Sequence, residues 1–213
     1  MSYVLHYSPG TASMAVHWML IELGVQFELS PVDFGASAQR KAAYLALNPS
    51  GRVPTLIIDG KPYAESAALL MLLAERHPEA GLAPAIGAPD RAAWMSGMLY
   101  LANTLLPAFR DWFYADKDGD PAGADAVKAL ARKRIEGVWD RLDAQLGDGR
   151  AHLLGETLTT VDLLATMLMR WSRNMPRPAT TWPNLNRYIV RMRDMRSFNE
   201  TCDREGLTEW RNS

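Results

Sequence analysis

The chain has 213 residues, 48% of them hydrophobic and 22% charged, enough apolar material for one large or two modest cored domains of ordinary globular type. A formal net charge of −1 gives no broad basic field for a phosphate backbone, which excludes nucleic acid as the main partner but leaves room for a local site that binds a small anion. The lone Cys202 excludes an internal disulfide framework and any Cys-x-x-Cys pair; with no secretory start and no apolar run near the roughly 20 residues of a membrane span, the expectation is a cytoplasmic protein without a membrane partner.

Tyr3 to Tyr7 is a short run of strand formers broken by Ser8-Pro9-Gly10, after which Ala12 to Leu23 carries helical spacing and stops at Gly24. Gln26 to Val32 predicts a second strand, and Ala38 to Leu47 a second helix closed by Asn48-Pro49. Thr55 to Ile58, Asp59-Gly60 and Lys61 to Ala64 form a hairpin pattern, because Asp-Gly supplies the positive φ angles of a two-residue turn. Pro62 assigns the last strand to a sheet edge. From Glu65 to Arg76 the residues Ala68, Leu69, Leu72 and Leu73 share one helical face, and His77-Pro78 ends it. The order over residues 1–78 is β-α-β-α-β-β-α.

Residues 79–89 are rich in Ala, Gly and Pro and read as a linker. Residues 90–213 read as an all-α helical bundle. Its first helix runs from Asp90 to about Tyr114, with Trp94, Met98, Leu101 and Leu105 on one stripe and a bend expected at Pro107. Ala124 to Leu146 is the next. Thr160 to about Asn174 follows, announced by the capping pair Thr159 and Asp162 and a Leu158–Leu163 staple. Trp182-Pro183 opens a helix to about Asp194, and Ser197 to Arg204 is the last.

Two segments carry chemistry. At Val53-Pro54 the trans form is favoured by only about 0.5–1 kcal/mol, so the chain can turn sharply into a strand and leave the Val53 amide and carbonyl facing outward, where an extended peptide could add itself as a short strand. Glu65-Ser66 opens a helix, whose unpaired amides and dipole suit a carboxylate while Glu65 suits an ammonium; the same two residues also serve as an ordinary helix cap. His6, His17, His77 and His152 are scattered without ligand spacing, so no metal is expected.

A βαβαββα unit with Val-Pro at its third strand and Glu-Ser at its last helix, followed by a helical domain with a capped Thr-x-x-Asp helix, resembles the cytosolic glutathione S-transferases over nearly the whole chain. Tyr7-Ser8-Pro9-Gly10-Thr11-Ala12-Ser13 is similar to the Tyr-Thr-Pro-Gly-Ala-Cys-Ser of the bacterial beta-type members. The resemblance implies a thioredoxin-like amino-terminal domain that binds glutathione as co-substrate, a helical domain that helps form the second-substrate pocket, and a homodimer. It further implies a cis Pro54, Val53 pairing with the cysteinyl unit, and Glu65 and Ser66 holding the γ-glutamyl end. Arg52 lies where it could meet the glycyl carboxylate. Asn103 matches a histidine of the beta-type pocket, with Tyr100, Arg110 and Trp112 nearby to complete a second-substrate cavity.

A transferase must hold the glutathione sulfur as thiolate, and lowering a thiol pKa near 8.5 by about two units takes roughly 2.7 kcal/mol of preferential stabilisation. Here the sequence departs from its relatives. The catalytic cysteine of beta-type members falls on Ala12, and the serine or cysteine of several other classes falls near Gly10. The hydroxyls left in reach are Tyr7, Ser8, Thr11 and Ser13. Thr11, between the two vacant positions, is the first choice and Tyr7 the second; a backbone amide near Thr11 or Ala12 is a third route that needs neither side chain. The expected function is glutathione-dependent attack on a small apolar electrophile, with peroxide reduction or isomerisation open to the same thiolate. The alternative is a non-catalytic ligand-binding or interaction module of the same fold, for which the vacant positions speak.

Overall fold

In a computed structural model that describes residues 2–211, a four-stranded mixed sheet runs in the order β2-β1-β3-β4, with β1 Tyr3–Tyr7, β2 Glu28–Pro31, β3 Thr55–Ile58 and β4 Lys61–Ala64. β1 pairs parallel with β2 and antiparallel with β3, and β3 pairs antiparallel with β4. Strand composition follows position. Central β3 buries Thr55, Leu56 and Ile58, while edge strand β4 exposes Lys61, Pro62 and Tyr63, and Pro62 sits where a missing N–H breaks no inner ladder. Asp59 and Gly60 close the hairpin at φ 49° and 81°, the left-handed pair that this turn needs.

The helices of this region are α1 Met14–Glu22, α2 Ala42–Leu45 and α3 Ser66–Arg76. α1 starts two residues later than its spacing predicts, because residues 8–13 are bound into a turn of their own. The helix expected over 38–47 is instead a 3-10 turn, Ala38–Arg40, an extended Lys41 (ψ 148°) and then the single turn of α2. Tertiary contacts override propensity there. Gly51, at φ 61°, lies so close to this segment that a Cβ on it would stand 3.0 Å from the Gln39 carbonyl oxygen. Tyr44 is buried and spends its hydroxyl on residues 52 and 55.

Beyond the sheet come α4 Arg91–Tyr100, α5 Leu106–Asp118, α6 Ala124–Gln145, α7 Thr160–Trp171, α8 Pro183–Asp194 and α9 Arg196–Glu205. The predicted stripe Trp94, Met98, Leu101 and Leu105 is fully buried. Between α4 and α5 the expected bend takes the form of a π-helical turn, Leu101–Leu105, just ahead of Pro107, whose ring nitrogen offers no hydrogen to the preceding turn. α7 is buried along almost its whole length, and its start carries the capping box that Thr159 and Asp162 predict.

By packing, the chain divides into two compact units: one takes residues up to Ala83 and again from Arg193 onward, the other Pro84–Met192. Composition alone assigns α9 to the helical domain, whereas in the structure it packs in the first unit. The Trp18 indole N–H donates to Ser197 Oγ at 2.8 Å, and the Trp18 ring meets Phe198 edge-on at 5.1 Å. Both rings are fully buried, and burial of such large apolar surface is the main force that draws α9 onto α1. No helix among the described residues is long and apolar enough to cross a membrane.

Candidate functional site

One end of the sheet gathers the predicted ligand-binding residues. His6 stands opposite Thr55 in the β1–β3 pair, and Thr55 opposite Ala64 in the β3–β4 pair, so one more step in each register sets Tyr7, Pro54 and Glu65 in a row. The Val53-Pro54 bond is cis. Among the described residues the Val53 amide and carbonyl have no hydrogen-bond partner. Its side chain packs inward on Val32 and Tyr44, so the free backbone groups are not a sign of a loose loop.

A buried polar network holds this bend in place. The Arg52 carbonyl accepts from Tyr44 Oη at 2.7 Å and from Asn48 Nδ2 at 2.9 Å, and both residues also reach Thr55 Oγ1, at 2.9 and 3.1 Å. Burial pushes the Tyr44 phenol above its usual range, with the bonds to Thr55 and Asn48 pulling the other way, so it stays protonated and a donor. The Arg52 guanidinium is exposed and makes no hydrogen bond or ion pair with the described residues.

Glu65 takes φ 71° and ψ 108°, a conformation that costs a non-glycine residue about 1–3 kcal/mol and clusters at functional positions. Its side chain is exposed and does not cap α3. Ser66 is buried and donates to the Ala12 carbonyl at 2.9 Å, which fastens the start of α3 to the loop ahead of α1.

That loop is closely bonded. The Ser8 carbonyl accepts from Thr11 Oγ1 at 2.7 Å, Ser13 Oγ at 3.1 Å and the Thr11 amide at 3.3 Å, while Ser13 Oγ accepts from the Ser8 amide at 3.2 Å. Gly10, at φ 67°, donates its amide to Glu205 Oε2 at 2.7 Å. The donors left without a partner among the described residues are the Ala12 amide and the Tyr7 and Ser8 hydroxyls.

The sequence pattern of the glutathione S-transferase N-terminal domain matches residues 11–76, and that of the C-terminal domain matches residues 125–191. A glutathione S-transferase of Xanthomonas campestris is 30% identical over 207 residues, which span 95% of this chain and 98% of the relative. The chain belongs to the glutathione S-transferase family. A sphingomonad glutathione S-transferase solved in complex with glutathione superposes with a TM-score of 0.84 at 32% identity, covering 96% of this chain and 100% of the other. The beta-class enzyme of Sphingomonas chungbukensis does so at 0.85 and 30%, with the same coverage. The chain is thus a glutathione transferase of thioredoxin-like plus helical architecture, with glutathione as co-substrate. No group of His, Cys, Asp or Glu among its described residues is arranged to hold a metal ion.

Within this transferase, Thr11 stands differently from its expected role: its hydroxyl proton is directed at the Ser8 carbonyl. Gly10 has no side chain because a left-handed residue at the turn favours none. The three residues expected to line a second-substrate cavity do not share one. Tyr100 borders a hollow of about 210 Å³ with Ser96, Gly97 and Arg141, whose guanidinium lies 4.3 Å from the Tyr100 ring centre. Trp112 faces a separate open groove beside Arg132, Lys133 and Glu136, and exposed Asn103 lines neither. Distance along the helix is the cause: Tyr100 and Trp112 are twelve residues apart on the α4–α5 run, roughly 18 Å of rise, too far to border one small hollow. Arg110, nearby, is paired with Asp118 at 2.6 Å.

Sequence reasoning missed Tyr44 and Asn48 as supports of the bend, the bond of His17 to Glu205, and Glu205 entirely. For Asn48 a signal existed: Asn before Pro-Ser-Gly bonds its own following backbone, and Asn48 Oδ1 does accept from the Ser50 amide at 3.1 Å. For Glu205, far along the chain from Gly10, no local pattern exists.

Proposed function

We propose that this transferase lays glutathione across the end of the sheet: the cysteinyl unit pairs with the Val53 backbone just before the cis bond to Pro54, Glu65 meets the ammonium and the Ser66 amide at the start of α3 the carboxylate of the γ-glutamyl end, and Arg52 meets the glycyl carboxylate. Residues 1–78 are then the glutathione-binding domain, 79–89 the linker and 90–213 the helical domain, whose last helix, α9, packs in the first unit. The observation that carries this reading is the pair of unpartnered Val53 backbone groups, next to Pro54, which stands in one row with Glu65 at its strained angle. Support also comes from the Ser66 bond to Ala12, which brings the γ-glutamyl anchor beside the loop that would meet the sulfur.

At that loop the Ala12 amide and the Tyr7 hydroxyl hold the sulfur as thiolate. Hydrogen bonds to a charged group contribute about 1.5–3 kcal/mol each, so the pair reaches the roughly 2.7 kcal/mol that a two-unit drop in pKa requires. Thr11 acts one step back by bonding the loop to itself. The sulfur lone pair attacks the electrophilic carbon of a small apolar substrate, the C–S bond forms, and the leaving group departs with its electron pair; the thiol proton has already passed to water.

Glutathione at a hundredfold above its dissociation constant should stabilise the protein by about 2.7 kcal/mol in a melting experiment. Tyr7→Phe should lower kcat/KM toward a chlorodinitrobenzene by about tenfold, and Thr11→Ala by less, the tenfold corresponding to about 1.4 kcal/mol of transition-state stabilisation. No thermal shift sinks the glutathione reading, binding without turnover favours a ligand carrier, and a larger loss in Thr11→Ala reverses the assignment of the sulfur donors.

The reading extends to a cytoplasmic homodimer. A single buried cysteine, Cys202, suits a reducing compartment, and Met95 and Leu99 on α4 are 42% and 50% exposed, apolar surface that a second copy would cover. Sedimentation at the mass of one chain would overturn the dimer.

A further inference from the structure

Glu205 is an expensive residue where it stands. It is the last residue of α9, where the negative end of the helix dipole disfavours a carboxylate, and its side chain is wholly out of water. Two donors offset this: the Gly10 amide at 2.7 Å on one oxygen, and His17 Nδ1 at 2.8 Å on the other. His17 is itself fully buried, between the Tyr7 ring at 5.7 Å and the Phe27 ring at 5.6 Å. Its Nε2 has no partner among the described residues, so the proton belongs on Nδ1 and points at Glu205.

The consequence falls on the loop. On its inner side residues 8–13 are tied through the Ser8 carbonyl, and the Ser66 bond holds the Ala12 carbonyl. Gly10, two residues before Ala12, is fastened by Glu205. We propose that Glu205, steadied by His17, is a positioning residue for catalysis: by its reach rather than its charge it fixes the Gly10 turn and thereby the aim of the Ala12 amide at the glutathione sulfur. This inference rests on the glutathione reading above. A misplacement of about 1 Å at a reacting group can lower a rate by as much as about a hundredfold, so a shift of this turn has room to matter.

Reach and charge are separable. Glu205→Asp keeps the charge but is shorter by one carbon–carbon bond, about 1.5 Å, and cannot span from Gly10 to His17. Glu205→Gln keeps the length and an acceptor for Gly10 but loses the charge. With glutathione and a chlorodinitrobenzene, Glu205→Asp should lower kcat/KM about tenfold at neutral pH and move the alkaline rise of its pH profile up by about one unit, while the calorimetric Kd for glutathione stays within about threefold. Glu205→Gln should stay within about threefold on all three readouts. Where Glu205→Asp does not fold, His17→Gln, which removes one of the carboxylate's two anchors, should show the same direction of shift at about threefold.

A Glu205→Asp protein that melts lower with an unmoved pH profile makes the residue merely structural and overturns the proposal. Equal damage in Glu205→Gln overturns it in favour of charge, and an unmoved profile in His17→Gln overturns it by showing that the second anchor does not aim the loop. Absence of glutathione binding by the unaltered chain brings down the glutathione reading together with this one; binding and turnover with an unmoved Glu205→Asp profile bring down this one alone.

Discussion

Replacing Asp162 by alanine is expected to lower the unfolding free energy by about 4 kcal/mol, since two buried backbone amides would each lose their acceptor at about 1–3 kcal/mol and the helix would lose its cap at about 1 kcal/mol. Asp162 is fully buried at the start of α7. Its Oδ1 accepts from the Leu153 amide at 2.8 Å and from Tyr188 Oη at 3.0 Å; its Oδ2 accepts from the Thr159 amide at 2.8 Å and Thr159 Oγ1 at 3.1 Å. One carboxylate therefore joins the helix start to the segment before it and to α8. Alanine restores none of these bonds and leaves a hole that water enters poorly. Tyr188→Phe is the control: it removes one donor and leaves the other bonds in place, so its loss should be near 1 kcal/mol. Denaturant titration decides the matter, with a lower midpoint at unchanged slope as the expected outcome. A deficit under about 1 kcal/mol for Asp162→Ala would mean that the network is repaired by water or by the chain, and the account of α7 as the fixed helix of its unit would fail.

Glu65→Ala is expected to weaken glutathione binding by about tenfold to a hundredfold while changing stability by less than about 1 kcal/mol, because in the proposed binding mode the carboxylate meets the ligand's ammonium, and it makes no bond with the described residues. The exposed side chain makes no cap bond to α3, so its removal leaves the fold's hydrogen bonds intact. Its backbone stays at φ 71° in either case, so no strain is relieved. Most residues that affect ligand affinity also affect stability. Here the two should separate, and that separation is the diagnostic result. Calorimetry of glutathione binding with a parallel melting curve measures both; an affinity within about threefold of the unaltered protein removes Glu65 from the site.

These two residues differ in how they can be recognised. Thr-x-x-Asp before an apolar helix is a local pattern, since the capping bonds close within one turn, and the structure has them. Glu65-Ser66 after a hairpin and Val53-Pro54 before it are legible for the same reason: Asp59-Gly60 sets the turn, the turn sets the register, and the register sets residues 54 and 65 opposite each other. By contrast, the choice of Thr11 as sulfur partner rests only on its place between two vacant positions. A one-dimensional reading could not tell that its proton is already spent on Ser8, or that Gly10 is held from the far end of the chain.

Local patterns with a short physical range were thus enough for the strand and helix order, the hairpin, the cap of α7, the buried stripe that begins in α4 and the cis bend beside the start of α3. Everything that depends on contacts between distant residues waited for the folded chain: the collapse of the predicted second helix around Tyr44, the separate hollows beside Tyr100 and Trp112, the return of α9 to α1, and the Gly10–Glu205–His17 chain. The division follows from what stabilises each. Turns, caps and periodic faces draw on bonds and side-chain spacing within a few residues, whereas burial and long-range hydrogen bonds choose among partners that sequence distance does not rank.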